Sequence, residues 1–200
     1  MRIERGVFAD CLRHLLYSTQ QSTRVPALIH AAARGDFEPF AQLELTPTME
    51  LHALIADGVF FSSTCTEDLP FVTEQDIERA TAGTFLGDYR VRRQLAACAI
   101  WAPGAAADVA LQQPVRVSTP VLLISGEFDT ATPPAAAARV ARHLPNSRHI
   151  VFPNQSHDFA NPACEGRLIA EFLVALEPES LDIRCVAQTR RPPFVVPTAR

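Results

Sequence analysis

The stretch that most constrains the fold is residues 121–134, VLLISGEFDTATPP. It opens with four consecutive apolar residues, Val121, Leu122, Leu123 and Ile124. A strand with one wet face alternates apolar and polar residues. An unbroken run of this length instead reads as a strand buried on both faces, as in a parallel sheet. The run breaks at Ser125-Gly126, and Glu127 and Asp129 follow. Thr132-Pro133 then offers an N-cap and a first-turn proline for a helix. The stretch therefore predicts an aspartate just past the C-terminal end of a buried strand, where open α/β sheets place their chemistry.

The pattern continues downstream. Residues 133–143 predict a helix with Val140 and Leu144 inward, and Pro145-Asn146-Ser147 turns the chain. Residues 148–152, RHIVF, predict a second strand, and 153–157, PNQSH, a loop. Leu168, Ile169, Phe172, Leu173 and Leu176 give residues 162–176 a helical period. Together these form a β-α-β-α unit, which implies a parallel pair with a right-handed crossover. Residues 177–200, with prolines at 192, 193 and 197, read as an extended surface arm.

Upstream, most of the signal is helical. Ile3, Val7, Leu12, Leu15 and Leu16 place residues 3–17 on an amphipathic helix. A second helix starts at Pro26 and stops at Arg34-Gly35-Asp36; others cover 37–43 and 49–56. Residues 58–64, GVFFSST, form a β-like run leading into a turn at 65–70, CTEDLP. Thr73 and Asp76 give a weak capping-box signal, and a further helix covers 88–100. Residues 103–119 are small, proline-containing and irregular, as expected of a linker. The expected division is 1–104, a linker at 105–119, an α/β unit at 120–176 and a tail at 177–200.

Composition excludes several function classes. All eighteen basic residues are Arg, so no lysine is present for a Schiff base or a phosphate loop. The eight glycines never form G-x-G, and neither H-E-x-x-H nor C-x-x-C occurs. No cofactor or metal is called for. A net charge of −4 without a basic block gives no support for nucleic-acid binding. No apolar run approaches the roughly 18 residues of a membrane span. Five cysteines leave at least one unpaired within the chain. Buried small apolar residues are one reading of them; Cys164 and Cys185, flanking a helix and its exit loop, are the better bridge candidates.

Asp129 follows one predicted strand and His157 the next. Adjacent strand ends lie about 5 Å apart, so both side chains can reach one crevice. A carboxylate beside an imidazole fixes its tautomer and stabilises the imidazolium, as a Ser-His-Asp site requires. The order acid, then His, matches the last two members of the α/β-hydrolase triad. Asp129 also suits a simple turn role, and His157 alone suits a loop histidine.

The segment PVLLISGEFDTATPP, the following Asn154-Gln155-Ser156-His157 and the helix from Cys164 resemble the C-terminal part of α/β-hydrolase-fold serine peptidases. The resemblance is greatest to the proline iminopeptidase and tripeptidyl aminopeptidase (TAP-like) group. Leu16-Tyr17, residues 25–29 (VPALI) and Arg34-Gly35-Asp36 resemble that group's helical cap, so the resemblance covers about residues 5–195. It implies a partial α/β-hydrolase fold: a cap segment followed by the β-α-β-α unit, without the first strands of the sheet. It further implies Asp129 as triad acid, His157 as general base and Glu67 as acceptor for a peptide's free α-amino group. An ammonium needs such an anionic partner in a partly dry cleft. The resemblance supports the Cys164–Cys185 bridge, with Cys65–Cys98 a second candidate, and suggests a secreted or periplasmic parent.

The departure is a missing nucleophile: no G-x-S-x-G occurs, and the oxyanion-hole loop that would precede that elbow is missing as well. The expectation is therefore the C-terminal portion of an aminopeptidase-like serine hydrolase, inactive alone and marginally stable, whose substrate or complementing N-terminal half lies outside the chain. A non-catalytic pseudoenzyme or interaction module, and a fragment of an esterase-type hydrolase, are the alternatives.

Overall fold

The structure is a computed structural model and describes residues 4–45, 56–101, 109–158 and 161–196. The chain forms two compact units, 1–11 with 36–113, and 12–35 with 114–200. Segment 12–35, read from sequence with the upstream helices, thus groups with the C-terminal unit. The expected helix at 49–56 lies almost entirely outside the described residues, and so does the start of the expected linker, 105–108.

The C-terminal unit is built on two parallel strands, β1 (Val121–Gly126) and β2 (Ser147–Phe152). They run in register from Val121 opposite Ser147 to Gly126 opposite Phe152. A helix, Pro134–Ala141, connects them, and another, Pro162–Ala175, follows β2. This is the β-α-β-α order expected from the apolar runs. Its core holds Ile150, Phe152, Cys164, Leu168, Leu181 and Val186, with Leu122, Ile124 and Phe172 packed against it. Phe152 and Leu168 are fully buried, and burying each contributes about 1.5–3 kcal/mol.

Residues 178–189 are not part of the expected extended arm. A turn of 3-10 helix at Pro178–Ser180 and a short helix at Arg184–Ala187 fold the chain back onto the sheet. Leu181, Val186 and Thr189 are buried, and Cys185 is bonded to Cys164 across a sequence separation of 21. The two buried apolar residues there, Leu181 and Val186, stand five apart, which fits neither a helical nor a strand period. The disulfide supplies the missing constraint, worth about 3 kcal/mol for a loop of this length. Arg148 adds to it, its guanidinium donating to the carbonyls of Pro178, Glu179 and Leu181.

One inward assignment, Val140, and one cap assignment, Thr132, also change. Val140 is half exposed, and Leu144, beyond the helix end, is the buried residue. Thr132 does not cap the helix, whose N-cap is Pro133; its hydroxyl is used by Asp129 instead. At the far end of the last long helix, Leu176 is the C-cap, left-handed at φ 54° and more than half exposed. A side chain in that region costs roughly 1–2 kcal/mol, and the position is usually glycine. Leu176→Gly is expected to raise the unfolding free energy by about 0.5–1 kcal/mol in urea titration, after the entropic cost of glycine. A lower stability would show that the leucine contributes more than it strains.

In the other unit, residues 58–64 are helical, not extended. A helix at Asp57–Ser63 runs into a π-helical turn at Thr64–Asp68 and a 3-10 turn at Leu69–Phe71. A strand needs a neighbour to receive its backbone groups, and the β propensity of Val and Phe carries no partner with it. A helix satisfies those groups locally, with the Phe60 N–H donating to the Ala56 carbonyl. Phe61 then packs on Trp101, whose indole N–H donates to Ser62, and Cys65 is bonded to Cys98. Helices Glu74–Thr81 and Tyr89–Cys98 complete the unit. The first begins with the Thr73–Asp76 capping box, and Glu74 holds Arg92 through both carboxylate oxygens. Among the described residues no helix is long and apolar enough to cross a membrane.

Candidate active site

The C-terminal ends of β1 and β2 carry the loops that bring Asp129 and His157 together. Gly126 ends β1 against the loop after β2: a β-carbon there would meet the Ser156 carbonyl oxygen at 2.0 Å and that of Gln155 at 2.6 Å. Only a residue without a side chain permits this approach. Two backbone bonds then tie the loops together. The Glu127 N–H donates to the Phe152 carbonyl, and the Phe128 N–H to that of Gln155. Asn154 turns the second loop in the left-handed region at φ 60°, a conformation Asn tolerates, and its N–H donates to the Glu127 carboxylate.

Asp129 is buried and fully hydrogen-bonded. One carboxylate oxygen accepts the N–H groups of Ala131 at 2.7 Å and Thr132 at 2.8 Å. The other accepts the Thr132 hydroxyl at 2.7 Å and meets His157 Nδ1 at 2.9 Å. Turn role and histidine-orienting role are therefore filled by the same carboxylate. Burial pushes its pKa up, but donation by the Thr132 N–H, His157, the Thr132 hydroxyl and the Ala131 N–H outweighs that and holds it below the ordinary value. The group stays ionised, and an ionised carboxylate fixes the His157 proton on Nδ1. Nε2 is then the acceptor of the ring, and the His157 side chain is 49% exposed.

Residues far upstream brace this loop. The Tyr17 carbonyl accepts the N–H groups of His157 and Asp158 at 3.0 and 3.1 Å. The Thr19 N–H donates to the Asp158 carboxylate, and the Thr19 hydroxyl accepts the Ser156 N–H. The Tyr17 ring lies 5.8 Å from that of His157. Sequence reading missed Tyr17, Thr19 and Asp158, because the contacts span more than 130 residues and run largely through the backbone. Thr132 was recoverable: three residues after an aspartate, a threonine commonly closes a side-chain turn.

Asp129 also lines a cavity of about 430 Å³ with Leu16, Ser22, Phe128, Asn154 and Arg191 among its walls. Glu67 belongs to the other unit, exposed in the π-helical turn, where Ser63 donates to its carboxylate at 3.3 Å. Among the described residues no cluster of His, Cys, Asp or Glu could hold a metal ion.

Comparison with known protein families matches residues 83–185, just over half of the chain, to the family described as TAP-like protein. The chain belongs to the TAP-like family. No curated protein and no solved structure gave a match. The TAP-like family is an α/β-hydrolase family, and its matched span takes in both strands, Asp129 and His157. It ends at Cys185, the residue that closes the second disulfide.

Proposed function

We propose that Asp129 and His157 are the acid and general base of a hydrolase site that acts on short peptides with a free amino terminus. The observation that carries this is the 2.9 Å contact between a buried, fully hydrogen-bonded carboxylate and Nδ1 of an accessible histidine. A general base needs an accepting nitrogen open to the reacting group, and Nε2 is placed for it. In such a mechanism Nε2 takes the proton from a serine hydroxyl as the hydroxyl attacks the carbonyl carbon. The imidazolium then returns that proton to the leaving amine, and Asp129 stabilises the cation while remaining ionised. No G-x-S-x-G elbow occurs in the sequence, so the nucleophile and oxyanion hole are assigned to sequence outside the given residues.

Glu67 is the proposed acceptor for the substrate's α-ammonium, a role that separates an aminopeptidase from an esterase. The test compares an aminoacyl anilide with its N-acetylated form, using the nucleophile-bearing assembly. The free amine is expected to be turned over at least ten times faster, and Glu67→Gln to abolish the preference. Equal rates would favour the esterase reading.

A further inference from the structure

The geometry points to Thr19 as a positioning residue for His157, a role in catalysis that rests on the hydrolase reading above. Thr19 opens a four-residue helix, Thr19–Ser22, and is 1% exposed. A hydroxyl can donate one hydrogen bond and accept others. That of Thr19 accepts the Ser156 N–H at 2.9 Å and donates to the Asp158 carbonyl at 3.1 Å. One side chain therefore holds the residues on both sides of His157. The Thr19 N–H reaches the Asp158 carboxylate at 2.5 Å, and the Tyr17 carbonyl accepts the N–H groups of His157 and Asp158.

This clamp begins where the other one stops. The backbone bonds from the loop after β1 reach only as far as Gln155, through the Phe128 N–H. Beyond it, the backbone of residues 156–158 is held by Tyr17 and Thr19. The His157 ring has few holds of its own, with its side chain 49% exposed. Among the described residues these are Asp129 at 2.9 Å and the Thr132 hydroxyl at 3.2 Å, both at Nδ1, and the Tyr17 ring 5.8 Å away. The ring thus goes where the backbone at 157 goes. Asp129 is fixed separately, by the Ala131 and Thr132 N–H groups of its own loop. Without the Thr19 hydroxyl, the N–H of the buried Ser156 loses its acceptor, and a buried donor left unmet drives the loop to move. A displacement of about 1 Å breaks the contact with Asp129 and costs on the order of 10²-fold in rate.

The test compares Thr19→Val, which removes the hydroxyl at nearly constant shape, with Thr19→Ser, which keeps it. In the chain alone, nitrogen-15 NMR of the His157 ring is expected to show the Nδ1–H tautomer in the wild type and in Thr19→Ser, and a mixture of tautomers in Thr19→Val. In the nucleophile-bearing assembly, with an aminoacyl anilide, Thr19→Val should lower kcat about 10²-fold while KM changes by less than about threefold, and Thr19→Ser should recover most of the loss. Circular dichroism reads the fold. If Thr19→Val does not fold, Asp158→Ala removes the Thr19 N–H contact from an exposed position and should lower kcat and mix the tautomers in the same way. The inference is overturned if Thr19→Val, or Asp158→Ala in its place, keeps the wild-type tautomer and kcat. It is also overturned if Thr19→Ser is as impaired as Thr19→Val, or if only KM changes. Tautomers that respond as stated, in an assembly with no His157-dependent turnover, would remove the hydrolase reading and keep the clamp. His157-dependent turnover that Thr19→Val leaves intact would keep that reading and remove the positioning role.

Discussion

Gly126→Ala is expected to destabilise the C-terminal unit by about 3 kcal/mol or more and to pull His157 away from Asp129. The new methyl group would sit 2.0 Å from the Ser156 carbonyl oxygen and within 2.9 Å of the Gln155 carbonyl carbon. These are backbone atoms, so no side-chain rotation relieves the clash. The loop must move as a body, and the Phe128-to-Gln155 bond that fixes its height goes with it. Urea denaturation reads the stability, and the His157 ring resonances read the contact. Gly58→Ala is the control, since a β-carbon there meets nothing within 4 Å. A Gly126→Ala chain as stable as wild type would mean that the two loops are not held together as described.

The second large effect is at Asp129. Asn in its place can still accept the Ala131 and Thr132 N–H groups through its carbonyl. Its amide nitrogen, however, then faces Thr132 and His157 with a donor in place of an acceptor. The His157 proton is expected to move to Nε2, which removes the accepting nitrogen. Turnover in the complete site should fall by about 10⁴-fold, the scale for a wrong histidine tautomer. Nitrogen-15 NMR distinguishes the tautomers in this chain without turnover. The same change alters the acid limb of stability. The Asp129 pKa is lower in the folded state than the ordinary 3.8. Its contribution is therefore fully present above about 3.8 and is lost as pH falls through the lower folded value. The Asn variant should be less stable at neutral pH, and its deficit should shrink in that acid window. An unchanged tautomer would contradict the assignment.

The pairing of Asp129 with His157 was legible in the sequence for a local reason. Each sits immediately beyond a short apolar run, and the runs alone fix where two parallel strands end. The second helix of the unit and the capping box at Thr73 follow equally local rules. What the sequence left hidden is of two kinds. Tyr17, Thr19 and Asp158 act through contacts between distant segments, where neither spacing nor residue type is a signal. The 58–64 run and the tail were misread because propensity does not count partners. Val59, Phe60 and Phe61 suit a strand that has no neighbour to pair with, and prolines at 192 and 193 suggested an arm while Leu181 and Val186 were entering the core.

The central claim is that His157 is the proposed base of a site whose nucleophile lies outside these 200 residues. The most direct measurement is hydrolysis of a free-amine aminoacyl anilide by three samples. These are the purified chain alone, the chain combined with a TAP-like N-terminal half bearing a G-x-S-x-G elbow, and that combination with His157→Ala. Turnover is expected only in the second sample, with the third reduced by at least 10³-fold. Turnover by the chain alone that is lost in its own His157→Ala variant would place the nucleophile within these 200 residues. Undiminished turnover in the third sample would show that His157 is not the base.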